Sequence, residues 1–269
     1  MMSNCSVSII TYIDCTTGIF LEYLPSYIDN ITSIDGFLEY ELILVIVRSV
    51  NNVKENIILD PVLEEYDNIK RVYVDSVSSQ YDAWNIAINN STGDYITNSN
   101  LDDRRSKSGL SMLHETVSDL HDVYYGHVTV TTNKKDITTQ GHNHVRRRWE
   151  CFDINSTDDL FYHNSPHCFP LWSRRCHDNG NMFNTYKFNR CGDYEFWLRG
   201  SNKLGFKFHM ADIRMGCYYH SPEGLSTDVN GSREIQLENR IMRLRYGSSD
   251  TPIPYYHQKL IKDTSITHV

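Results

Sequence analysis

Asp102 and Asp103 are adjacent carboxylates at the end of Thr92-Gly93-Asp94-Tyr95-Ile96-Thr97-Asn98-Ser99-Asn100-Leu101-Asp102-Asp103-Arg104, a segment in which 95–99 reads as a strand. Paired carboxylates at a strand end suit a hard divalent cation, which takes oxygen ligands and is commonly held by one or two carboxylates plus substrate phosphates. The same residues also suit a turn in which Asp103 caps the next helix, since strand ends use Asp for turn chemistry. The fragment alone admits both. A third carboxylate, Asp193 in Gly192-Asp193-Tyr194-Glu195-Phe196-Trp197-Leu198-Arg199, falls at the start of an expected helix. There the macrodipole favours an anion. The residue is then an ordinary N-cap or a general base facing the sheet edge.

The elements that must position these groups follow from hydrophobic periodicity. Residues 6–12 and 41–47 are continuous apolar, β-branched runs, as expected of strands buried on both faces. Residues 71–74 and 95–99 read as two more strands, and 20–28, 53–65 (interrupted at Pro61) and 81–89 as helices. Tyr81, Trp84 and Ile88 recur at i, i+3 and i+7, one helical face. Strand–helix alternation implies a mainly parallel sheet with right-handed crossovers. Ligands of such sheets bind beyond the carboxyl ends of the strands. Further on, 123–131 reads as a strand, 132–140 as a polar turn region and 151–191 as a long loop-rich segment. Then come a helix over 193–204, a strand over 206–213 and a charged amphipathic helix over 233–246. A loop as long as 151–191 inside a compact domain is usually functional.

Composition narrows the classes. The 269 residues carry 26 basic and 34 acidic side chains, a net charge of −8, with 40% apolar and 22% charged residues. That is a globular chain of one to two domains with material for a full core. Acidity argues against a general nucleic-acid or anionic-membrane binder, and the cluster 145–149 (VRRRW) is short enough to be a solvated face or a local anion contact. Apolar runs such as 42–47 are too short to span a bilayer. No basic n-region followed by an apolar h-region is visible, so a cytoplasmic location is expected. The seven cysteines, 5, 15, 151, 168, 176, 191 and 217, form no CxxC pair, which fits reduced thiols.

Read together, the motifs Ala83-Trp84-Asn85, Gly93-Asp94-Tyr95-Ile96 and Asn100-Leu101-Asp102-Asp103-Arg104 resemble the inverting family 2 glycosyltransferases of GT-A fold. The likeness continues at Pro170-Leu171-Trp172 with His177, Gly180 and Phe183, at Gly192–Arg199, and at Tyr218-Tyr219-His220-Ser221-Pro222-Glu223-Gly224-Leu225-Ser226-Thr227, spanning residues 6–246. It implies an α/β fold of GT-A (Rossmann-like) type, a mainly parallel central sheet flanked by helices with a C-terminal helical extension. Residues 1–215 would form the transferase domain, with a nucleotide-sugar half over 1–104 and an acceptor half over 105–215. Residues 216–269 would supply a lid loop, a helix and a tail. The implied reaction is metal-dependent transfer of a hexose from a nucleoside-diphosphate-sugar, a UDP-sugar, to a hydroxyl of a glycan or other acceptor, with inversion.

Carried over by position, the resemblance makes Asp102 the metal and diphosphate ligand, with Mn²⁺ or Mg²⁺ as cofactor, and Asp193 the catalytic base. Asn100 stands where the first acid of a D-x-D element usually lies, with Leu101 between. Thr11 and Tyr12 match the nucleotide-base pocket, Asp75 a base-contacting position, Asn85 the amide beside it, and His220 a histidine touching the metal or diphosphate. The tyrosines, tryptophans and histidines of 149–191 would suit stacking on sugar rings. Some positions depart from the pattern. Ile10 replaces the proline before Thr11-Tyr12, Ile46-Val47-Arg48-Ser49 lacks the acid pair usual after the second strand, and Gly192 replaces the glutamate before the base.

Three rival readings remain at this level. His163, His167, Cys168, Cys176, His177 and Cys191 have irregular spacing and no C-x2–4-C knuckle, so zinc competes with ordinary loop residues and buried thiols. A sugar nucleotidyltransferase would need a glycine-rich, basic phosphate loop after the first strand, whereas Asp14-Cys15-Thr16-Thr17-Gly18 has one glycine and no Lys or Arg. A nucleotide-sugar-binding protein with lost or weak catalysis is the remaining class, and it predicts donor binding without turnover.

Overall fold

The computed structural model describes residues 7–16, 18, 20–34, 39–48, 64, 66–138, 147–162, 164–222, 224 and 229–247. Most of the helix expected over 53–65, and the tail from 248, lie outside the described residues. Strands β1 (Val7–Asp14), β2 (Tyr40–Val47), β3 (Ile69–Val74) and β4 (Tyr95–Asn98) form a parallel half-sheet in the order β3-β2-β1-β4. The chain moves outward from β1 through β2 to β3 and then returns to the other side of β1 for β4. Strand order therefore reverses between β1 and β4, which makes their carboxyl ends the ligand-binding crevice of a doubly wound sheet.

Helix α1 (Phe20–Thr32) outlasts the expected 20–28 because Ile31 continues the buried stripe of Phe20, Tyr23, Leu24, Tyr27 and Ile28. It covers one face of the half-sheet, with Ile9, Leu42 and Leu44 beneath it. Helix α2 (Gln80–Asn89) covers the other face, where Trp84, Ala87 and Ile88 meet Ile10, Ile43 and Val45. Its N-cap is Ser79, whose side chain accepts from the Asp82 N–H.

The second half is mixed rather than parallel. It is built from β5 (Arg104–Arg105), helix α3 (Gly109–Glu115), β6 (Val123–Thr131), helix α4 (Lys135–Thr138), β7 (Arg147–Trp149), helix α5 (Thr157–Tyr162) and β8 (Leu171–Ser173). Helix α6 (Gly192–Arg199), β9 (Phe208–Tyr219) and helix α7 (Val229–Tyr246) complete it. Among the described residues the sheet has nine strands, and β8 runs antiparallel between β4 and β6, joining the halves. The loop-rich 151–191 thus hides a three-residue strand and the short α5, too brief to register as periodic patterns.

Strand β9 is the largest departure from expectation. It runs parallel to β6 as far as Tyr219, with register shifts around His127. A Cβ on Gly126 would lie 2.5 Å from the Ile213 carbonyl oxygen, so the backbones approach there as only glycine permits. The polar residues Asp212 and Arg214 are exposed next to this bulge and break the apolar pattern that would have announced the strand. Tyr218 and Tyr219, expected in the loop, are its last residues. Among the described residues no helix is long and apolar enough to cross a membrane.

Candidate active site

The turn after β4 separates the two adjacent carboxylates by function. Asp103 is fully buried: its Oδ1 accepts from the Tyr219 N–H at 3.0 Å and its Oδ2 from Asn100 Nδ2 at 3.1 Å. It therefore ties the turn to the end of β9. It does not cap the following helix, which starts at Gly109 after Ser108. Burial, and then the Asp102 charge, push the Asp103 carboxyl well above its ordinary range. Asp102 instead lines a cavity, and burial raises its carboxyl too. The arginines that follow are staples for this turn. The Arg104 guanidinium donates to the Leu101 carbonyl at 2.9 Å, to the Asp103 carbonyl at 2.6 Å and to the Tyr23 carbonyl of α1 at 3.2 Å. Buried Arg105 donates to the Asn98 carbonyl at 2.5 Å and to Thr97 Oγ1.

Asp193 lies in the first turn of α6. Its Oδ1 accepts from the Tyr81 hydroxyl at 2.8 Å, and burial raises its pKa, partly offset by that bond, by the Tyr194 N–H and by the Asn164 amide. A carboxylate with a raised pKa and a fixed orientation is suited to taking a proton near neutral pH. The unexpected Gly192 now has a reason. A Cβ there would lie 2.6 Å from the Tyr81 ring, so this position must be bare for Tyr81 to reach Asp193. Gly192→Ala should push the ring away and lower turnover by about 10²-fold, the order of cost of an ångström of misplacement. Wild-type turnover in that variant would show that Tyr81 does not set the geometry of Asp193.

One cavity of about 310 Å³ collects Asp102 and Asp193 on the same walls, together with Asn100, Trp149, His167 and Tyr218. Its size is that of a small-molecule pocket. The rings of Trp149 and His167 stack with centroids 3.8 Å apart, and Tyr218 meets Trp149 edge-on at 6.3 Å. His167 Nδ1 and Cys168 Sγ are 2.6 Å apart, and burial pushes the imidazole down to about 3, so it is neutral. Asn98, also on the wall, fixes this segment by donating to the Cys168 carbonyl at 3.1 Å.

Other expected site residues are placed differently. Thr11 lies inside β1, which extends to Asp14, and is buried; its hydroxyl meets Tyr27 Oη at 2.5 Å and donates to the Ser99 carbonyl at 2.9 Å. Its side chain thus locks β1 to α1 and the β4 turn and has nothing left for a nucleobase. Asn85 is likewise consumed, its amide donating to the Phe183 carbonyl at 2.9 Å and accepting from the Phe183 N–H at 3.0 Å. Tyr12 is half-buried in β1, with its hydroxyl pushed up to about 12 by burial and by Asp14, and Asp75 is exposed directly after β3. Leu101 packs against the core beside Tyr23 and Tyr219. His220 follows β9, its N–H donating to the Thr131 carbonyl at 2.8 Å, and burial lowers its imidazole pKa. Among the described residues no three of His, Cys, Asp and Glu converge as a metal cage, so the zinc reading gains no support. His177, for one, is held by Trp172 Nε1 at 2.8 Å. His163 lies outside the described residues.

No family model and no curated protein matches this sequence. Solved structures do match in fold. S. aureus TarS superposes with a TM-score of 0.63 at 14% identity, over 96% of this chain and 42% of that one. The chain therefore spans less than half of the TarS length. TarS 1–349 from S. aureus, in complex with UDP, gives 0.59 at 16% identity over 95% of this chain and 69% of that one. A mannosyltransferase from Pyrobaculum calidifontis, PcManGT, in complex with GDP-Man and Mn²⁺, gives 0.59 at 12% identity over 93% and 67%. The chain has the GT-A fold. The α/β sheet expected from the sequence is thereby shown, with an antiparallel component in its second half.

Proposed function

We propose that this chain transfers a sugar from a nucleoside-diphosphate-sugar, a UDP-sugar, to an acceptor hydroxyl with inversion at the anomeric carbon. The observation that carries this reading is that Asp102, at the strand-order reversal, and Asp193, at the start of α6, line one cavity. Fold-sharing proteins solved with UDP and with GDP-Man support it. In this reading Tyr12 and Asp75 border the nucleoside at the ends of β1 and β3. Asn100 and Asp102 face the diphosphate. Asp193 takes the proton of the acceptor hydroxyl as its oxygen attacks the anomeric carbon. The bond from that carbon to the diphosphate oxygen breaks on the opposite face, and the diphosphate leaves with the electron pair. Trp149, stacked on His167, offers a flat aromatic wall for a sugar ring.

A single carboxylate, Asp102, with the Asn100 amide on the same cavity wall fits Mn²⁺ or Mg²⁺ held jointly by protein, diphosphate and water, not an all-protein cage. Asp102 would hold it; His220, which follows β9 and is not among the residues lining the cavity, is the further ligand that the resemblance implies. When bound, the cation would offset charge developing on the leaving diphosphate. His220→Ala should weaken UDP binding more in Mn²⁺ than in EDTA; equal affinity of variant and wild type in Mn²⁺ would remove His220 from the site.

The function is tested with UDP-GlcNAc, UDP-glucose and GDP-mannose by thermal shift with and without Mn²⁺, followed by product analysis. A bound donor at a hundredfold excess over Kd stabilises by about 2.7 kcal/mol. Release of nucleoside diphosphate, with an anomeric configuration opposite to the donor's, is expected. Release of pyrophosphate would instead establish nucleotidyl transfer, and binding without turnover a sugar-nucleotide-binding protein.

A further inference from the structure

The turn leading into α6 is held from outside itself. Asn189, Arg190 and Cys191 present consecutive backbone N–H groups, and one carboxylate of α7, Glu238, accepts from all three. Asn189 reaches Oε1 at 2.8 Å, Arg190 both oxygens at 3.2 and 3.1 Å, and Cys191 Oε2 at 2.7 Å. Glu238 is 6% exposed and lies on a buried stripe with Ile235, Met242 and Tyr246. The N-cap residue of α6, Cys191, makes no side-chain capping bond of its own. Successive N–H groups at the positive end of a helix form an anion-binding concavity, and here a carboxylate from another helix fills it.

The same turn reaches the base. The Tyr81 hydroxyl lies 3.0 Å from the Arg190 carbonyl oxygen and 2.8 Å from Asp193 Oδ1. A second buried carboxylate, Glu195, fastens α6 to α7 further along, accepting from Arg199 Nε at 3.0 Å and from the Tyr246 hydroxyl at 2.6 Å. We propose that Glu238 is a positioning residue for Asp193, acting through the 189–191 turn and Tyr81; this rests on the reading of Asp193 as the base. The C-terminal helix is then part of the catalytic geometry and not only a cover for the core.

Glu238→Gln tests it, because the amide keeps the shape but turns one acceptor oxygen into a donor that faces another N–H. Measurement uses whichever of UDP-GlcNAc, UDP-glucose or GDP-mannose is turned over. The expected result is a kcat lowered about tenfold or more, as misplacement of a base costs, with the donor KM nearly unchanged. The acid limb of the pH profile should also move, since the Tyr81 hydroxyl, whose hydrogen bond holds the Asp193 pKa down against burial, shifts with the turn, while the neighbouring Cys191 and Cys168 thiols stay neutral in that range. In an Asp193→Asn background, Glu238→Gln should cost nothing further, the signature of two residues acting as a unit. Met242→Ala, a core truncation on the same stripe, should lower Tm and leave the pH profile in place. Full kcat with an unmoved acid limb in Glu238→Gln, or a loss that multiplies with that of Asp193→Asn, overturns the proposal. If Asp193→Asn itself turns over like wild type, the reading of the base fails and the proposal with it. If Asp193→Asn is slowed as expected while Glu238→Gln keeps full kcat and an unmoved acid limb, the proposal alone fails. Should Glu238→Gln not fold, Glu238→Asp, which keeps the charge but falls short by one methylene, is judged by the same outcomes.

Discussion

Asp193→Asn is expected to lower turnover by about 10²–10⁴-fold, the usual worth of a positioned general base, with UDP affinity nearly unchanged. The amide keeps the oxygen that accepts from Tyr81, so geometry survives and only proton uptake is lost. The pH dependence follows from the direction of the shift. Burial raises the Asp193 pKa in the folded chain. kcat/KM of the wild type should therefore fall on the acid side at a pH above the ordinary aspartate value of about 3.9. Between the unfolded and the raised folded pKa the native state binds more protons than the unfolded one, so this group's contribution to stability falls as pH rises through that window. Removing the charge removes that loss, and Asp193→Asn should melt no lower than wild type at neutral pH. An acid that only complements the first turn of α6, whose N-cap is Cys191, behaves in the opposite way. Its loss costs about 0.3–1 kcal/mol of stability and leaves turnover intact. Near-wild-type transfer with a lowered Tm would reduce Asp193 to that role.

Legibility of the sequence depended on how local the deciding physics was. Strands β1 and β2 are buried on both faces, so their apolar runs announced them, and β6 appeared over its full length for the same reason. Strand β9 showed only its first part, because register shifts and exposed polar residues at the bulge interrupt the alternation. The resemblance alone makes Thr11 a nucleotide-pocket residue; inside β1 its hydroxyl is needed to bind α1 to the β4 turn. Gly192 looked like a defect until the Tyr81 ring, brought in by α2, was seen to occupy the space of its Cβ. Glu238 carried a signal that was available and unread. It is an acid on the stripe Ile235, Met242, Tyr246, and a buried charge on an apolar face requires partners.

Asp102 and Asp103 cannot be told apart from sequence, because the partner that decides between them, Tyr219, is 116 residues away. The structure makes their substitution a matched pair. Asp102→Ala removes a cavity-lining carboxylate that carries little packing, so Tm should stay near wild type while Mn²⁺-dependent UDP affinity is lost. A metal site held by one protein carboxylate has no second acid to replace it. Asp103→Ala leaves the Tyr219 N–H and the Asn100 amide without their acceptor in a buried setting. An unsatisfied buried donor costs about 1–3 kcal/mol, so this variant should melt well below wild type. Its UDP binding should weaken only as far as the turn relaxes. Calorimetry of UDP in Mn²⁺ and in EDTA, set beside the two melting temperatures, separates the cases. If Asp102→Ala binds UDP in Mn²⁺ as tightly as wild type, the diphosphate and its cation are not held at this turn. If instead Asp103→Ala loses binding with no loss of Tm, the roles of the two acids are exchanged.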